Sequence, residues 1–423
     1  MSQNGGCCVT LLPALAEPSS LRLANMARLV SLAIPDAPLV CLDFWCRAGS
    51  VFEGPSESGM AHFLEHMVFK GSDQLAPGEF DLRIEALGGS SNAATGFDDV
   101  HYHVLIHPDA APQALDLLLE LVLTPQIEPQ AFAMERQVVL EELAQSEDQP
   151  EEMALQRLLE LACPGHPYSL PILGKRQDLL AHQPEAMAAF HGRLYGGGRC
   201  VLALSGAVDP SLLTHASQGP LAALAPCPDP PSLPPLRVRP GEHQLALPRL
   251  EAARLLMAWW QPPAHDLEAV MGADLATTVL AEGRRSRLVE RLREELRVVE
   301  SIDLDLHAME CGSLALLEAV CGKEDLAKVR EGIRAVWGEV MEEPIGREEW
   351  DRAQRLVANS YRFGLEAPSG VAGLIGSSRL WGRDLSLAAP LEMLGLWTPE
   401  RLRLESLASL DPQRACVLEA VPA

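Results

Sequence analysis

Apolar positions recur every three to four residues over 58–71, 80–87, 112–123 and 129–146, the period of helices that bury one face. Gly88-Gly89 and Pro125 interrupt this pattern. Between them, residues 91–107 alternate apolar and polar, which predicts two extended strands joined around 95–99. The second half repeats the texture, with helices predicted over 267–281, 286–295, 323–341 and 347–363 and strands near 302–309 and 313–320. Each half also opens alike. Ala33-Ile-Pro-Asp leads into an apolar run over 39–46, and Ala246-Leu-Pro-Arg leads into one over 255–260, which points to a weak internal duplication. The proline-dense stretch QGPLAALAPCPDPPSLPPLRVRPGE between the halves cannot hold a helix and reads as an extended linker. Strands and helices in mixed order make this an α+β chain. Its expected domains are residues 1–215 and 243–423, joined by a linker over 216–242.

Composition narrows the class. The chain has 423 residues, enough for two or three domains that each bury a core without disulfides. Charged residues interrupt every apolar run short of the roughly 20 needed to span a bilayer, so no transmembrane segment is expected. The first 20 residues lack the basic and apolar regions of a signal peptide, and the expected compartment is the cytoplasm. The ten cysteines form no C-x-x-C pair and read as reduced thiols, with Cys46 and Cys163 as core fillers. Against 34 Lys+Arg stand 58 Asp+Glu, a net charge of −24. That excess disfavours nucleic-acid binding and favours basic or neutral partners, although a solvated acidic surface is its simplest reading.

Chemistry enters in GMAHFLEHMVFKGS. At about 100° per residue, Met60, Phe63, Leu64, Met67 and Val68 share one helical face, while His62, Glu65 and His66 share the other. Two imidazoles one turn apart can hold one zinc ion, and Glu65 beside it is the expected general base for water attacking a carbonyl. A catalytic site needs a third protein ligand. The helix AMERQVVLEELAQS offers one, since Glu135 and Glu142 lie about two turns apart on one face. Helical phase alone does not separate Glu141 from Glu142. The backing of Glu135 on the same side assigns Glu142 as ligand, with Glu135 orienting a histidine N–H. His101, His103 and His107 alternate on the predicted strand and share one of its faces. Their default reading is ordinary, with a second metal or substrate role as the alternative.

These motifs resemble the pitrilysin/insulinase-like metallopeptidases, the inverted-motif zinc family that includes mitochondrial processing peptidase subunits. The residues that carry the likeness are His62-Phe-Leu-Glu65-His66-Met-Val-Phe-Lys-Gly, then Gly88-Gly89-x-x-Asn92-Ala-x-Thr95, then Glu135-Arg136 leading to Glu142. The resemblance implies two related domains, each a mostly antiparallel sheet backed by helices, forming half of a clamshell around an unfolded peptide. It implies zinc as cofactor and substrate capture along an edge strand containing Asn92, Ala93 and Ala94. It also implies a dimer.

The chain departs from the pattern in its second half. Family members that act alone carry an Arg followed seven residues later by a Tyr that polarises the scissile carbonyl, and here Arg293 is followed by Glu300. An ionised carboxylate donates no hydrogen bond. The expectation is therefore a zinc endopeptidase subunit working with a metal-free partner that supplies Arg and Tyr, ahead of a homodimer. A scaffold subunit without activity is the alternative. Asp98 stands where the family often has Glu.

Overall fold

The computed structural model describes residues 17–34, 36–227 and 233–423, so Cys7, Cys8 and most of the N-terminal segment read above lie outside the described residues. Two sheets organise the chain. The first contains β1 (Ser19–Arg22), β2 (Arg28–Ala33), β3 (Val40–Cys46), β4 (Ser90–Thr95), β5 (Val100–Ile106) and β6 (Cys200–Gly206) in the order β1-β2-β6-β3-β5-β4. The second contains β7 (Gly241–Leu247), β8 (Ala253–Gln261), β9 (Ser301–His307), β10 (Ser313–Cys321) and β11 (Cys416–Pro422) in the order β7-β11-β8-β10-β9.

The duplication becomes legible in this order. Setting β1 aside, β2-β6-β3-β5-β4 and β7-β11-β8-β10-β9 are the same topology, with one parallel pair, β2–β6 or β7–β11, and antiparallel pairs elsewhere. In each half the last strand returns to lie between the first two long ones. The helices follow suit. After β3 come α1 (Met60–Val68) and α2 (Glu79–Ala86), and after β5 come α3 (Ala111–Leu123), α4 (Pro129–Glu147) and α5 (Pro150–Ala162). Helices α6 (Arg176–Ala181), α7 (Pro184–Leu194), α8 (Pro210–Gln218) and α9 (Pro220–Ala223) complete the first half. After β8 comes α10 (Leu267–Ala281), and after β10 come α11 (Leu326–Glu342), α12 (Arg347–Gly364) and α13 (Pro368–Leu380).

The equivalent helices α5 and α13 are exchanged between the halves. Ala154, Leu158 and Ala162 of α5 bury against Leu256, Ala258 and Leu418 of the second sheet. Val371, Ala372 and Ile375 of α13 bury against Val30, Trp45 and Ala203 of the first. A Cβ at Gly376 would come within 2.5 Å of the Trp45 ring, so glycine there lets α13 lie close on the sheet. Because each sheet is covered on one face by a helix from the other half, burial of apolar surface couples the two halves.

Two expectations need correction. Residues 216–218 and 220–223 of the predicted linker are helical, in the end of α8 and in α9, because Pro220 sits at the first helical position of α9, where its missing N–H costs nothing. The helix predicted over 286–295 winds as a π-helix over Val289–Glu295. Among the described residues, no helix is long and apolar enough to cross a membrane.

Candidate active site

Helix α1 begins where the chain turns through Gly59, whose φ of 82° and close approach to the Leu173 carbonyl both exclude a Cβ. The Glu53 carboxylate accepts hydrogen bonds from the Gly59 and Ala61 N–H groups at 3.0 and 2.9 Å, anchoring donors that the first helical turn leaves free. Burial nevertheless pushes the Glu53 carboxyl up to about 8. Met60, Ala61, Phe63, Leu64, Met67 and Val68 are buried, with Phe63 against Phe132 of α4. That packing leaves His62, Glu65 and His66 on the open face and sets α4 beside them.

The candidate ligands converge. Glu142 Oε2 lies 3.7 Å from His62 Nε2 and 3.4 Å from His66 Nε2. Ligands about 2.0–2.1 Å from a tetrahedral zinc are separated by about 3.3 Å, so the three atoms stand close to that spacing. Of these groups, His62, His66 and Glu142 form a cluster able to hold a metal ion. Glu141 is exposed and Glu142 half-buried, which separates the two carboxylates that helical phase left open.

The outer groups hold these side chains in place. Glu135, buried on α4, places Oε1 2.9 Å from His66 Nδ1 and Oε2 2.8 Å from Lys70 Nζ. A proton on Nδ1 aims the Nε2 lone pair toward Glu142. Burial, with the neighbouring His66, lowers His62 to about 4, so its ring is neutral, as a ligand must be. Its Nδ1 is buried without a hydrogen-bond partner. The hydrogen bond with Glu135 raises His66. These donors, this spacing and the second carboxylate fit a zinc ion.

Glu65 does not join the ligand cluster. Its Oε2 accepts a hydrogen bond from Thr95 Oγ1 at the end of β4. Burial raises its carboxyl above the usual range, against the pull of Thr95 and of His66. Among the described residues, strand β4 is the edge of the first sheet, with only β5 beside it. Ala93 packs on the core that carries α1, and by the pleat Asn92 and Ala94 face the opposite side. The Asn92 side-chain oxygen accepts from the Ala93 N–H at 2.9 Å. A cavity of about 1000 Å³ lies beyond the C-terminal end of α4, between Leu143, Glu147 and Met153 and the second-half residues Leu247, Met309 and Leu316.

Not every predicted residue joins this group. Both hydrogen bonds of Arg293 go to its neighbour Glu294, and Glu300 is exposed. His107 lies past the end of β5, where its Nδ1 accepts from the Asp109 N–H, so it does not share the strand face of His101 and His103. The sequence reading missed the positioning roles of Thr95, Lys70 and Glu53. Thr95 and Lys70 stand inside the quoted motifs, but a periodicity argument gives neither a partner.

A largely buried helix presenting two imidazoles and a carboxylate, faced by a glutamate from a second helix beside an edge strand, is the arrangement expected of the zinc-peptidase class. Residues 28–176 match the family Insulinase (Peptidase family M16), and residues 182–357 match the Peptidase M16 inactive domain. The chain belongs to this insulinase/pitrilysin-like family. It is 28% identical over 398 residues to an uncharacterized zinc protease of Mycobacterium tuberculosis, covering 92% of this chain and 90% of the relative. It is 33% identical over 191 residues to a probable mitochondrial-processing peptidase subunit beta of Arabidopsis thaliana, covering 45% of this chain and 35% of the relative. A protease from Helicobacter pylori shares the fold with a TM-score of 0.88 at 22% identity, covering 96% of this chain and 100% of that one. A peptidase M16 inactive domain from Pseudomonas fluorescens also gives 0.88, at 18% identity, covering 96% and 99%.

Proposed function

We propose that the chain is the catalytic subunit of a zinc endopeptidase that cleaves extended peptides, in the cytoplasm, as one half of a dimer. The observation that carries this reading is the convergence of His62, His66 and Glu142 beside Glu65, which Thr95 holds at the end of an edge strand. Bound zinc would supply a Lewis acid that activates water and polarises the scissile carbonyl. His62, His66 and Glu142 would hold it, and Glu135 keeps the His66 ring in its ligating orientation.

Glu65 takes the proton from the attacking water and delivers it to the leaving amine. Its raised proton affinity suits both transfers, and Thr95 holds one carboxylate oxygen so that the other faces the substrate. A peptide pairs with β4 as an added strand, with Asn92, Ala93 and Ala94 supplying main-chain contacts. The Asn92 side chain must first release the Ala93 N–H. Side chains of the peptide then reach the cavity between α4, α5 and the second sheet.

The second half holds no Tyr at position 300, and the Arg293 side chain is engaged by Glu294. We therefore assign the carbonyl-polarising donor to a metal-free partner subunit. The same departure favours, as the second reading, a scaffold role in a family heterodimer. The test is zinc content together with hydrolysis of a quenched fluorescent peptide mixture by the purified chain, alone and with the proteins that accompany it from its native host. Zinc without turnover in either preparation contradicts the catalytic reading. The charge of −24 favours basic or unstructured substrates, and equal cleavage of matched basic and acidic peptides at all salt concentrations would contradict that preference.

A further inference from the structure

A second constellation stands on the first sheet, one strand in from its edge. Strand β3 reads VCLDFWC, and every residue in it is buried, including the carboxylate of Asp43, which is 2% exposed. A carboxylate in an otherwise apolar central strand is costly unless it meets a cation. Asp43 pairs in register with His103 of β5, and the neighbouring pair is Trp45 with His101. Residues opposite one another share a face, so Asp43, His101 and His103 all project from the same side of the sheet.

The side chains meet there. Asp43 Oδ1 lies 3.0 Å from His101 Nδ1, a spacing that serves either a hydrogen bond or two ligands on one ion. The His101 ring stacks on Trp45 with centroids 4.2 Å apart, and on His103 at 5.6 Å with the planes 17° from parallel. One ligand atom from each of Asp43, His101 and His103 lies within 4.8 Å of the others. Among the described residues, the His103 ring makes no hydrogen bond, so both its nitrogens are uncommitted.

The surroundings favour a cation. The carboxylates of Asp43 and Asp99 place negative charge around His101. The same negative field attracts a divalent ion. Strands β3 and β5 are interior strands of the sheet, so the ligands sit on a rigid base.

We infer that Asp43, His101 and His103 form a second divalent transition-metal site, separate from the one on α1 and α4, with a 2-His-1-carboxylate ligand set and its remaining positions open. Such a set suits zinc, cobalt(II) or iron(II). His103 is paired in register with Asn92 and His101 with Ala94, so the open positions neighbour the side-chain track of a strand added to β4. None of the three proposed ligands is a residue on which the peptidase reading rests.

The experiment is metal stoichiometry on the full chain, stripped with chelator, reloaded with zinc and separated from free ion. Two zinc ions per wild-type chain are expected. Asp43→Asn and His103→Ala should each lower the count to one, while His62→Ala with His66→Ala should lower it to one by emptying the other site. Should the strand variants fail to fold, the answer comes from the His62→Ala, His66→Ala variant, in which β3 and β5 are untouched. It should bind one cobalt(II) ion with visible d–d absorption. A wild-type chain that saturates at one zinc, or a helix variant that binds no cobalt, overturns the inference. Loss of the zinc held by α1 and α4 with full retention of this second ion would overturn the peptidase reading alone.

Discussion

His66 Nδ1 and Glu135 Oε1 stand 2.9 Å apart, although 69 positions separate them in the chain. Lys70, one turn beyond His66 on the same side of the chain, binds the other oxygen of the same carboxylate at 2.8 Å. In the proposed zinc site Glu135 acts through a histidine. Replacing such an outer group weakens metal binding by about 10–100-fold. Glu135→Gln should raise the zinc dissociation constant by that factor without changing the number of ligands, as measured by competition with a fluorescent chelator. Unchanged affinity would show that α1 packing alone orients His66.

Glu65 touches Thr95 and lies outside the ligand cluster, so metal binding and turnover should separate there. Glu65→Gln should keep the zinc content and lower kcat by about 10²–10⁴-fold, the range for loss of a positioned acid–base group. Glu142→Gln should lose zinc. Thr95→Val should act in between. It removes one hydrogen bond, worth about 1–1.5 kcal/mol, and should lower kcat by about tenfold with KM little changed.

The halves are joined by a polar hub as well as by the exchanged helices. Asp98 accepts hydrogen bonds from Tyr168 Oη and from the Glu310 N–H, and the Cys311 N–H donates to the same Tyr168 oxygen. Arg383 pairs with Glu310 at 2.7 Å, and Trp381 donates to Asp99 at 3.2 Å. Tyr168→Phe leaves the Asp98 acceptor and the Cys311 N–H donor unmatched and should cost about 1–3 kcal/mol, read from the urea midpoint. A shift below a few tenths of a kcal/mol would show that the hub adds little to the joining of the halves.

Stability should depend on pH through Glu53, which burial pushes from its ordinary 4.5 to about 8. Its folded form holds the proton more tightly than the unfolded chain. The stabilisation is therefore complete below pH 4.5, declines as pH rises above it, and is lost once pH passes about 8. Denaturant titrations of wild type and Glu53→Gln between pH 5 and 9 check this. The difference in stability should move against wild type as pH rises, and parallel curves would contradict the shift.

The amphipathic helices and the metal motif were legible in the sequence because they are local. The helical period places His62, Glu65 and His66 on one face whatever the rest of the chain does, and the Glu135 and Glu142 spacing is read the same way. Strand registers are not local. That Asp43 faces His103 follows from pairing between segments 60 residues apart, so alternation in β5 alone showed His101 and His103 and wrongly added His107. The exchange of α5 and α13 was hidden for the same reason, since a buried helical stripe does not say which sheet it covers. Glu53 was missed because a side chain that caps a helix from six residues upstream leaves no periodic trace.

The most direct test of catalysis is peptide hydrolysis by the zinc-loaded chain isolated with its native partners, compared with the same preparation carrying Glu65→Gln. Hydrolysis that chelation abolishes, zinc restores and Glu65→Gln eliminates is the predicted result. A zinc-loaded native assembly that cuts no peptide, or one that cuts equally well with Glu65→Gln, would contradict it.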